Sequence, residues 1–335
     1  MLAVSSDRAV APAAAVAKKL GLPGIGSEVA ERMTDKASMR SRLLAAGVPQ
    51  PAHCVVASRD DVRRAAGLLR WPAVLKPVDS GGQRGLFLVG SPKDAAEKLD
   101  EALALSRTKR AMLEEHVEGV ELNGLLVVRD GRPSLLTLSD RLRPEGPGFG
   151  VGWIHRYPSD LSERVLRRAR DVAFAAVAAL GLRDGIAFPQ LLVDERGAVF
   201  VVEVAARIPA GQMADLASFA IGVNLFDVAI AQALGEEVDD AMIAAKLERP
   251  IVIRFLTASP GPLPTGTVRE IGGIDEMRRS PGVLTADIYF RPGETIRPVQ
   301  VDADRRGYIV ATGPSTAAAL AAADAAAAKL VVKVD

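Results

Sequence analysis

The stretch Val199–Gln212, VFVVEVAARIPAGQ, decides how this chain is interpreted. It places a carboxylate, Glu203, inside a run of strand-forming apolar residues, and an arginine, Arg207, follows four positions later. A carboxylate buried in such a strand is costly unless a cation or hydrogen bonds satisfy it. Two interpretations stay open: an internal ion pair between Glu203 and Arg207, or a site that receives a cation from outside the chain.

The composition is that of an ordinary globular protein, with 335 residues, 49% hydrophobic, 25% charged, and a net charge of +1. A near-neutral charge gives no reason to expect a nucleic acid or an acidic membrane surface as a partner. The single cysteine, Cys54, excludes an intramolecular disulfide and fits a reducing compartment. The N-terminus does not have the pattern of a signal peptide, and no apolar stretch has the length of a membrane span. We therefore expect a cytoplasmic protein.

Helix-like and strand-like segments alternate or pair along the chain, which predicts an α/β or α+β fold. Hydrophobic spacing predicts helices over residues 8–20, 92–106, 161–180 and 212–234. Asp160 and Glu163 fit a capping box at the start of the third of these helices. The chain becomes rich in Pro and Gly from about Arg249, and we expect a separate lobe there that ends in an alanine-rich helix.

The segments IAFPQLLV and AVFVVEV flank the turn DERG and predict a β-hairpin. With the loop over Asp194–Gly197, Phe188 lies opposite Glu203, and Gln190 lies diagonal to Glu203 on the same face. The alternation of side chains adds Arg207 to that face. Mg²⁺ takes oxygen ligands, commonly one or two protein groups plus substrate phosphates. The hairpin therefore fits a metal and phosphate site, while an ion pair at a sheet edge remains the alternative.

A second segment, PAVLKPVDSGGQRGLFLV, places Lys76 at the end of a strand and before a glycine-rich hairpin loop. Glycines let backbone N–H groups approach phosphate oxygens, and a lysine adds a point charge. The loop is neither a Walker A loop nor a GxGxxG turn. Taken alone, it is also what an ordinary surface hairpin would show.

The order of four segments is more specific than any one of them, and it resembles the ATP-grasp superfamily of carboxylate–amine ligases. The segments are DKASMRSRLLAAGVPQP, WPAVLKPVDSGGQRGLFLV, LEEHVEGVEL and GIAFPQLLVDERGAVFVVEVAARIPAG. The tail RRGYIVATGPSTAAALAAADAAAAKL resembles the C-terminal lobe of the biotin-carboxylase-like and L-amino-acid-ligase-like branches. Gln190 is a variation known in the carbamoyl-phosphate-synthase-like branch. The resemblance covers essentially the whole chain.

The resemblance implies an ATP-grasp fold, in which two α+β subdomains clamp ATP. The implied domains are a remnant of a Rossmann-like pre-ATP-grasp domain over 1–35, a small subdomain with a lid over 36–110, a large subdomain with the metal site over 111–248, and a C-terminal lobe over 249–335. The resemblance implies that the opening strands of the first domain are missing from this sequence, either because the start codon is misassigned or because the protein is natively short. A truncated sheet would leave an apolar edge that needs cover, and a homodimer is one way to provide it.

The resemblance also assigns roles to individual residues. It places Lys36 and Lys76 on the phosphates, and a mobile lid over the β- and γ-phosphates at 80–85, with Ser80, Gly81 and Gly82. It assigns the adenine hinge to Glu114, Glu115 and Val117, and the ribose to Glu121. It assigns Mg²⁺, with Mn²⁺ as an alternative ion, to Gln190 and Glu203. It assigns the transferring phosphate or the acyl phosphate to Arg207.

Three further residues are considered for contact with the substrate. His155 lies in GWIHRYP, a segment that we expect to form a loop facing the substrate; a structural histidine is the alternative. Arg141 and Arg143 in SDRLRPEG fit recognition of a carboxylate, and a solvated surface is the alternative for both.

Two positions depart from the family pattern at the expected metal site. Gln190 stands where the family usually has a glutamate, and Ala205 stands where it usually has an asparagine. The site therefore has one anionic charge and one ligand fewer than usual. We expect Mg²⁺ to be held more weakly, or a second ion to be absent.

The function that the resemblance implies is an ATP-dependent ligase. A substrate carboxylate would attack the γ-phosphate of ATP, and an amine would then displace phosphate from the acyl phosphate to form an amide or peptide bond. One rival is a carboxylase-like or purine-pathway member of the same superfamily. The other rival is a non-catalytic nucleotide-binding scaffold, which Ala205 and the short N-terminus favour. The substrates of the ligase would be a small carboxylate and a small amine.

Overall fold

The computed structural model describes residues 1–143 and 149–335. The chain divides into two compact units, and each is assembled from separated stretches. The first unit contains Met1–Leu138, Leu161–Gly211 and Asn224–Ala244. The second unit contains Ser139–Asp160, Gln212–Val223 and Ala245–Asp335.

Helices lie in all four predicted ranges, although the range 212–234 holds two of them. The helical elements are a 3₁₀ turn Asp7–Ala9, α1 Val10–Leu20, α2 Ser27–Arg32, α3 Lys36–Ala45, α4 Arg59–Ala65, α5 Pro92–Ala104, α6 Glu163–Leu180, α7 Met213–Ile221, α8 Leu225–Leu234, α9 Asp240–Ile243, α10 Ile274–Arg278, a 3₁₀ turn Asp302–Asp304 and α11 Thr316–Ala327. Within the described ranges, no single helix has both the length and the apolar character to cross a membrane, and only the consecutive pair α7 and α8 reaches them in combination.

The strands form antiparallel pairs throughout the described registers. They are β1 His53–Val56, β2 Ala73–Pro77, β3 Phe87–Val89, β4 Ala111–Glu115, β5 Val120–Arg129, β6 Arg132–Leu142, β7 Ile154–Tyr157, β8 Gly185–Val193, β9 Val199–Ala205, β10 Ile251–Phe255, β11 Gly266–Gly272, β12 Val283–Ile288, β13 Thr295–Ile296, β14 Gly307–Thr312 and β15 Val331–Val334.

A four-stranded sheet in the first unit has the order β1-β4-β2-β3. Leu75 and Leu113 are fully buried in the core under α4 and α5. Successive side chains of a strand point to opposite faces, so Lys76 and Glu114 lie on the other face of the same two strands. The alternation therefore collects charged side chains on the face away from these helices.

The other strands of the first unit include the series β5-β8-β9, against which α6 packs. Ala169, Ala176 and Leu180 on α6 are fully buried in this core. Gly181, at φ +83°, ends the helix as predicted. The predicted capping box is wrong, because the N-cap is Ser162, whose side chain makes no capping hydrogen bond.

The helix predicted over 212–234 is two helices rather than one. Gly222, at φ +73°, ends α7 in the left-handed conformation that favours glycine. Asn224 then caps α8, because its side chain accepts a hydrogen bond from the Phe226 N–H at 3.0 Å. The apolar residues run on across this break, which is why the periodicity alone does not show it.

The second unit contains the strand series β12-β14-β10-β7, together with the end of β6 from Ser139 onward, and a three-stranded sheet β13-β11-β15. The alanine-rich helix α11 packs on β14 and β10. Its buried face consists of Ala319, Ala323, Ala326 and Ala327, and its Asp324 accepts a hydrogen bond from Arg254 Nε at 3.1 Å. The predicted alanine-rich helix is thus present.

The hairpin of β8 and β9 has a different register from the predicted one. Val193 pairs with Val199, and a β-bulge between Gln190 and Leu191 shifts the pairing once more. Gln190 therefore lies directly opposite Glu203 rather than diagonal to it. The predicted pairing of Phe188 with Glu203 is wrong.

The turn of this hairpin explains the first shift in register. Asp194 Oδ1 accepts hydrogen bonds from the N–H groups of Arg196 at 3.0 Å and Ala198 at 2.7 Å. The backbone N–H of Asp194 also donates to the Ala198 carbonyl at 3.0 Å. Gly197 takes φ +73°, which only glycine adopts readily. The loop consequently includes Ala198 and is one residue longer than DERG suggests.

Candidate functional site

Three buried charged side chains lie together on the face of the four-stranded sheet that carries Lys76. Arg40 of α3 donates through Nε to Glu114 Oε1 at 2.7 Å, and Lys76 Nζ lies 2.5 Å from Glu114 Oε2. The three side chains are only 2% to 6% exposed. One carboxylate thus lies between two cations, so the cluster carries a net positive charge.

The pKa of Glu114 reflects this arrangement. Burial by itself raises the pKa, because it disfavours the charged form, but the charges and hydrogen bonds of Arg40 and Lys76 outweigh burial and lower it to about 2. The pKa of Lys76 is lowered from its ordinary value by burial, opposed by Glu114, and lowered further by Arg40 and Lys36. The two lysines that the family resemblance assigns to phosphates are therefore close enough to affect each other.

Arg40 also fixes the strand that carries Glu203. Its Nη1 donates to the Val201 carbonyl at 2.6 Å, and its Nη2 donates to the Val202 carbonyl at 2.8 Å. These carbonyls lie beside the β-bulge, where the regular ladder of hydrogen bonds is interrupted. Arg40 thus satisfies backbone groups that the bulge releases and links α3 to β9.

Lys36 connects the glycine-rich loop with the predicted metal site. It is the first residue of α3, and the side chain of Asp35 caps that helix by accepting from the Ser38 N–H at 2.9 Å. Lys36 Nζ donates to the Ser80 carbonyl at 3.0 Å and to Glu203 Oε1 at 3.2 Å. The structure therefore brings together one phosphate lysine, the start of the lid and one metal ligand that the sequence predicts.

The pair Gln190 and Glu203 fits a magnesium site to which the protein contributes only a few ligands. The two side chains are partly buried and belong to directly paired positions on β8 and β9. They offer one carboxylate and one amide oxygen, which is the ligand chemistry that Mg²⁺ prefers. Ala205 lies two residues beyond Glu203 and contributes no ligand. In the described part of the chain, no three His, Cys, Asp or Glu side chains are grouped as a metal site.

Arg207 forms its ion pair with Asp7 of the N-terminal segment. Its Nε lies 2.6 Å from Asp7 Oδ1, and its Nη2 lies 3.1 Å from Asp7 Oδ2. The internal pair of Glu203 with Arg207, one of the two sequence interpretations, is not formed, since Glu203 bonds to Lys36 instead.

The predicted lid is a loop between β2 and β3. Gly82, Gln83 and Gly85 all have positive φ, at +71°, +62° and +71°. Gly81 lies close to the N-terminal segment, because a Cβ at this position would be 3.1 Å from Asp7 Oδ2. The lid role of Ser80, Gly81 and Gly82 remains a prediction.

The predicted adenine hinge follows β4. Glu115 bonds to Arg70 through two side-chain contacts, at 3.0 and 3.2 Å, and accepts from the Arg70 N–H at 2.9 Å. The hydrogen bonds with Arg70 lower the pKa of Glu115, while partial burial opposes them. Val117 is partly buried and Glu121 is buried at the start of β5. The carboxylate of Glu114 serves Arg40 and Lys76, and its predicted contact with a base stays untested.

The three predicted substrate residues all belong to the second unit. Arg141 and His155 are buried on paired positions of β6 and β7, and Arg143 is partly buried with its guanidinium 5.7 Å from the centre of the Phe149 ring. Burial, followed by the charges of Arg141 and Arg305, places the pKa of His155 well below its ordinary value. His155 thus lies in a strand rather than the expected loop, and Arg141 is not a solvated surface arginine.

Two residues at the site were not singled out from the sequence. Arg40 follows Lys36 by four positions in DKASMRSRLL, a spacing that places both on one face of α3. That spacing was available as a signal. Asp7 gives no comparable signal, because nothing local to VSSDRAV indicates a partner 200 residues away.

The fold and the site together define an α+β protein in which Lys36, a glycine-rich loop and the hairpin that carries Gln190 and Glu203 come together. Residues 35–241 match the family model of the carbamoyl-phosphate synthase L chain, ATP binding domain. Residues 255–335 match the model of L-amino acid ligase C-terminal domain 2. The chain belongs to the ATP-grasp superfamily, as the sequence predicted, and to the family of this ATP binding domain.

Individual proteins show the same relationship. An uncharacterized protein of Sinorhizobium fredii is 30% identical over 317 residues, which cover 91% of this chain and 62% of that protein. An L-arginine-specific L-amino acid ligase of Bacillus subtilis is 21% identical over 82% of this chain and 66% of its own length. This chain thus spans less than two thirds of either relative. The crystal structure of L-amino acid ligase from Bacillus licheniformis shares the fold, with a TM-score of 0.83 and 22% identity over 98% of this chain and 79% of that one.

Proposed function

We propose that this protein is an ATP-dependent ligase that activates a substrate carboxylate as an acyl phosphate for attack by an amine. The γ-phosphoryl group passes from ATP to the carboxylate oxygen, which leaves ADP. The amine then forms an amide or peptide bond and releases phosphate. The observation that carries the proposal is the contact of Lys36 with both the Ser80 carbonyl and Glu203, three residues to which we assign phosphate, lid and metal roles.

Positioning and charge neutralisation are the contributions expected from the protein, because phosphoryl transfer needs little covalent chemistry from it. Lys36 and Lys76 would bind phosphate oxygens, and Arg40 and Glu114 would hold Lys76 in place. Arg207 would bind the transferred group. The nucleotide role is supported by the match to a family model described as an ATP binding domain.

Gln190 and Glu203 would hold Mg²⁺, or Mn²⁺ in its place, together with phosphate oxygens of the nucleotide. The ion would neutralise phosphate charge when it is bound. Lys36 bonds to Glu203, and we expect this lysine to turn from the carboxylate to the phosphates when nucleotide and ion bind.

A second candidate function is nucleotide binding without turnover. Ala205 favours it, because this buried residue provides no oxygen where the family usually has an asparagine. Such a protein would keep the residues that hold the nucleotide. With one metal ligand fewer, it would neutralise the charge of a phosphoryl group in transfer less well.

The test is phosphate release by the full chain with MgATP across pairs of amino acids, with mass spectrometry of the products. We expect release that depends on an amino acid and a product whose mass equals the two substrates minus water. Glu203→Gln should abolish both signals. Nucleotide binding without amino-acid-dependent release would favour the second candidate, and absence of nucleotide binding would contradict both. Light scattering on the same sample tests the predicted homodimer.

A further inference from the structure

We propose that Asp7 is a positioning residue, which holds the Arg207 guanidinium so that Nη1 is left for an oxygen of the transferred phosphate. The inference rests on the proposed function, because it takes the phosphate role of Arg207 from there. It adds a residue from the N-terminal segment to the site.

The contact between the two side chains has a defined geometry. Asp7 binds one edge of the guanidinium, through Nε at 2.6 Å and Nη2 at 3.1 Å. Arg207 Nη1 is buried and has no hydrogen-bond partner among the described residues. A guanidinium is planar and carries five N–H donors in a rigid fork. Fixing one edge therefore fixes the direction of the remaining donors.

The backbone explains why Asp7 is fixed beside Arg207. Val4 forms a parallel bridge with Ile208, and the Ser5 N–H donates to the Ile208 carbonyl at 2.9 Å. The chain then enters the 3₁₀ turn Asp7–Ala9, which continues into α1. Asp7 is thus held from both sides by regular structure.

The predicted lid lies against the same carboxylate. A Cβ on Gly81 would be 3.1 Å from Asp7 Oδ2, so the absence of a side chain at Gly81 allows this close approach. Asp7 therefore contacts the residue that would bind the transferred group and adjoins the loop that would cover it.

The chemistry separates two effects that the Asp7 carboxylate could have. A carboxylate beside Arg207 lowers the local positive charge, so its benefit to an anionic phosphate must come from orientation. If Asp7 instead occupied the place of the phosphate, its removal would strengthen binding. The two effects have opposite signs. We infer that Asp7 orients Arg207, because Nη1 of the guanidinium makes no hydrogen bond to Asp7 or to another described residue.

The experiment uses the full chain with Asp7→Asn, which keeps the shape of the side chain and removes its charge. We expect kcat for amino-acid-dependent phosphate release to fall about 10- to 100-fold, with KM for ATP changed less than about threefold. The affinity for MgADP, measured by calorimetry, should stay unchanged, because ADP lacks the transferred phosphate. An unchanged or increased kcat overturns the proposal.

A binding experiment tests the proposal without turnover. Aluminium fluoride with MgADP mimics the transferred phosphoryl group, and we expect Asp7→Asn to weaken the fluoride-enhanced affinity about tenfold. If aluminium fluoride does not increase the affinity of the wild-type protein for MgADP, the proposal is overturned. Wild-type protein that shows this gain but no amino-acid-dependent release contradicts the proposed function alone.

Two further variants show whether Asp7 acts through Arg207. Asp7→Asn added to Arg207→Lys should cause less than about a twofold further loss of fluoride-enhanced affinity, because the two residues act as a unit. Independent, multiplying losses would contradict this. Asp7→Glu should recover part of the affinity, which also guards against misfolding of Asp7→Asn. Asp240→Asn is the control, since it breaks another carboxylate–arginine pair of the first unit, with Arg129 at 2.8 Å, and should leave both readouts unchanged.

Discussion

Lys36 Nζ lies 3.2 Å from Glu203 Oε1, so the residue predicted to bind phosphate and the residue predicted to bind metal are paired with each other. The side chains are 9% and 23% exposed, which limits screening of the pair by water. Each charge is thereby satisfied in the protein alone. Binding of a nucleotide with its metal ion would replace the contact between Lys36 and Glu203 by two others. Lys36 would bind a phosphate, and Glu203 would bind the metal ion.

Glu203→Gln should separate these two roles. We expect the variant to lose the dependence of nucleotide affinity on Mg²⁺, because an amide is a weaker ligand than a carboxylate. Affinity for metal-free ADP should rise by up to about tenfold, since Lys36 is freed and a negative charge near the phosphates is removed. Calorimetry with and without Mg²⁺ measures both effects. Glu28→Gln, which removes an exposed carboxylate paired with Arg32 at 3.0 Å, is the control.

Arg40 should be the most important of the site residues for stability. Arg40→Met leaves the Glu114 carboxylate and two backbone carbonyls of β9 without this partner, and breaking a buried pair typically costs about 3–5 kcal/mol. Arg70→Met removes the arginine that pairs with the neighbouring Glu115, but the Arg70 side chain is 90% exposed. We expect its effect on the unfolding free energy to be much smaller than that of Arg40→Met. Urea unfolding compares the two, and equal costs would contradict the structural role given to Arg40.

The loss of folding stability at acidic pH should depend on Glu114. Its pKa is about 2 in the folded protein against 4.5 for the ordinary carboxyl, so the folded state favours the ionised form. The resulting stability is fully present above about pH 4.5 and is lost as the pH falls toward 2. Glu114→Gln should be less stable at pH 7 and should show a flatter decline over this window. Unfolding free energies at several pH values test this, and parallel profiles would argue against it.

The predicted lid gives a test by hydrogen exchange. Three residues with positive φ within 80–85 leave this loop without regular backbone pairing, so we expect fast exchange without nucleotide and protection with MgADP or MgATP. The turn Asp194–Gly197 is the internal control, because hydrogen bonds to the Asp194 side chain already close it. Equal exchange of the lid loop in both states would remove the basis for a lid.

The sequence was most informative where neighbouring residues decide the structure. Helix spacing located α1, α5 and α6, and the turn DERG located the hairpin that holds Gln190 and Glu203. The register failed because the Asp194 side chain extends the loop and because Arg40 binds the carbonyls of Val201 and Val202 beside the bulge. The second cause is a contact across 161 residues, and a local pattern cannot show it.

The sequence could not decide between an internal pair of Glu203 with Arg207 and a cation site for a similar reason. Four residues of spacing made an internal pair plausible, but each residue has a partner from a distant segment, Lys36 for Glu203 and Asp7 for Arg207. Sequence spacing tells which side chains share a face of a strand. It does not tell which helix or terminal segment packs on that face.

Ala205→Asn is the sharpest test of the metal site, because it restores the oxygen that the family usually has there. Ala205 lies two positions beyond Glu203, so it belongs to the same face of β9, and it is 4% exposed opposite Phe188. We expect the Mg²⁺ concentration at half-maximal nucleotide binding to fall about 3- to 10-fold, with higher phosphate release. Titration of Mg²⁺ at fixed ADP measures the first effect.

The same substitution also adds volume at a packed position, which typically costs about 1–3 kcal/mol. Ala205→Leu is therefore the matched control, since it adds as many heavy atoms without an oxygen. It should be destabilised to a similar extent and should show no gain in Mg²⁺ dependence. If Ala205→Asn folds and behaves like Ala205→Leu, residue 205 does not reach the ion. Ala205 would then no longer favour nucleotide binding without turnover, because an oxygen at this position would not reach the ion in any case.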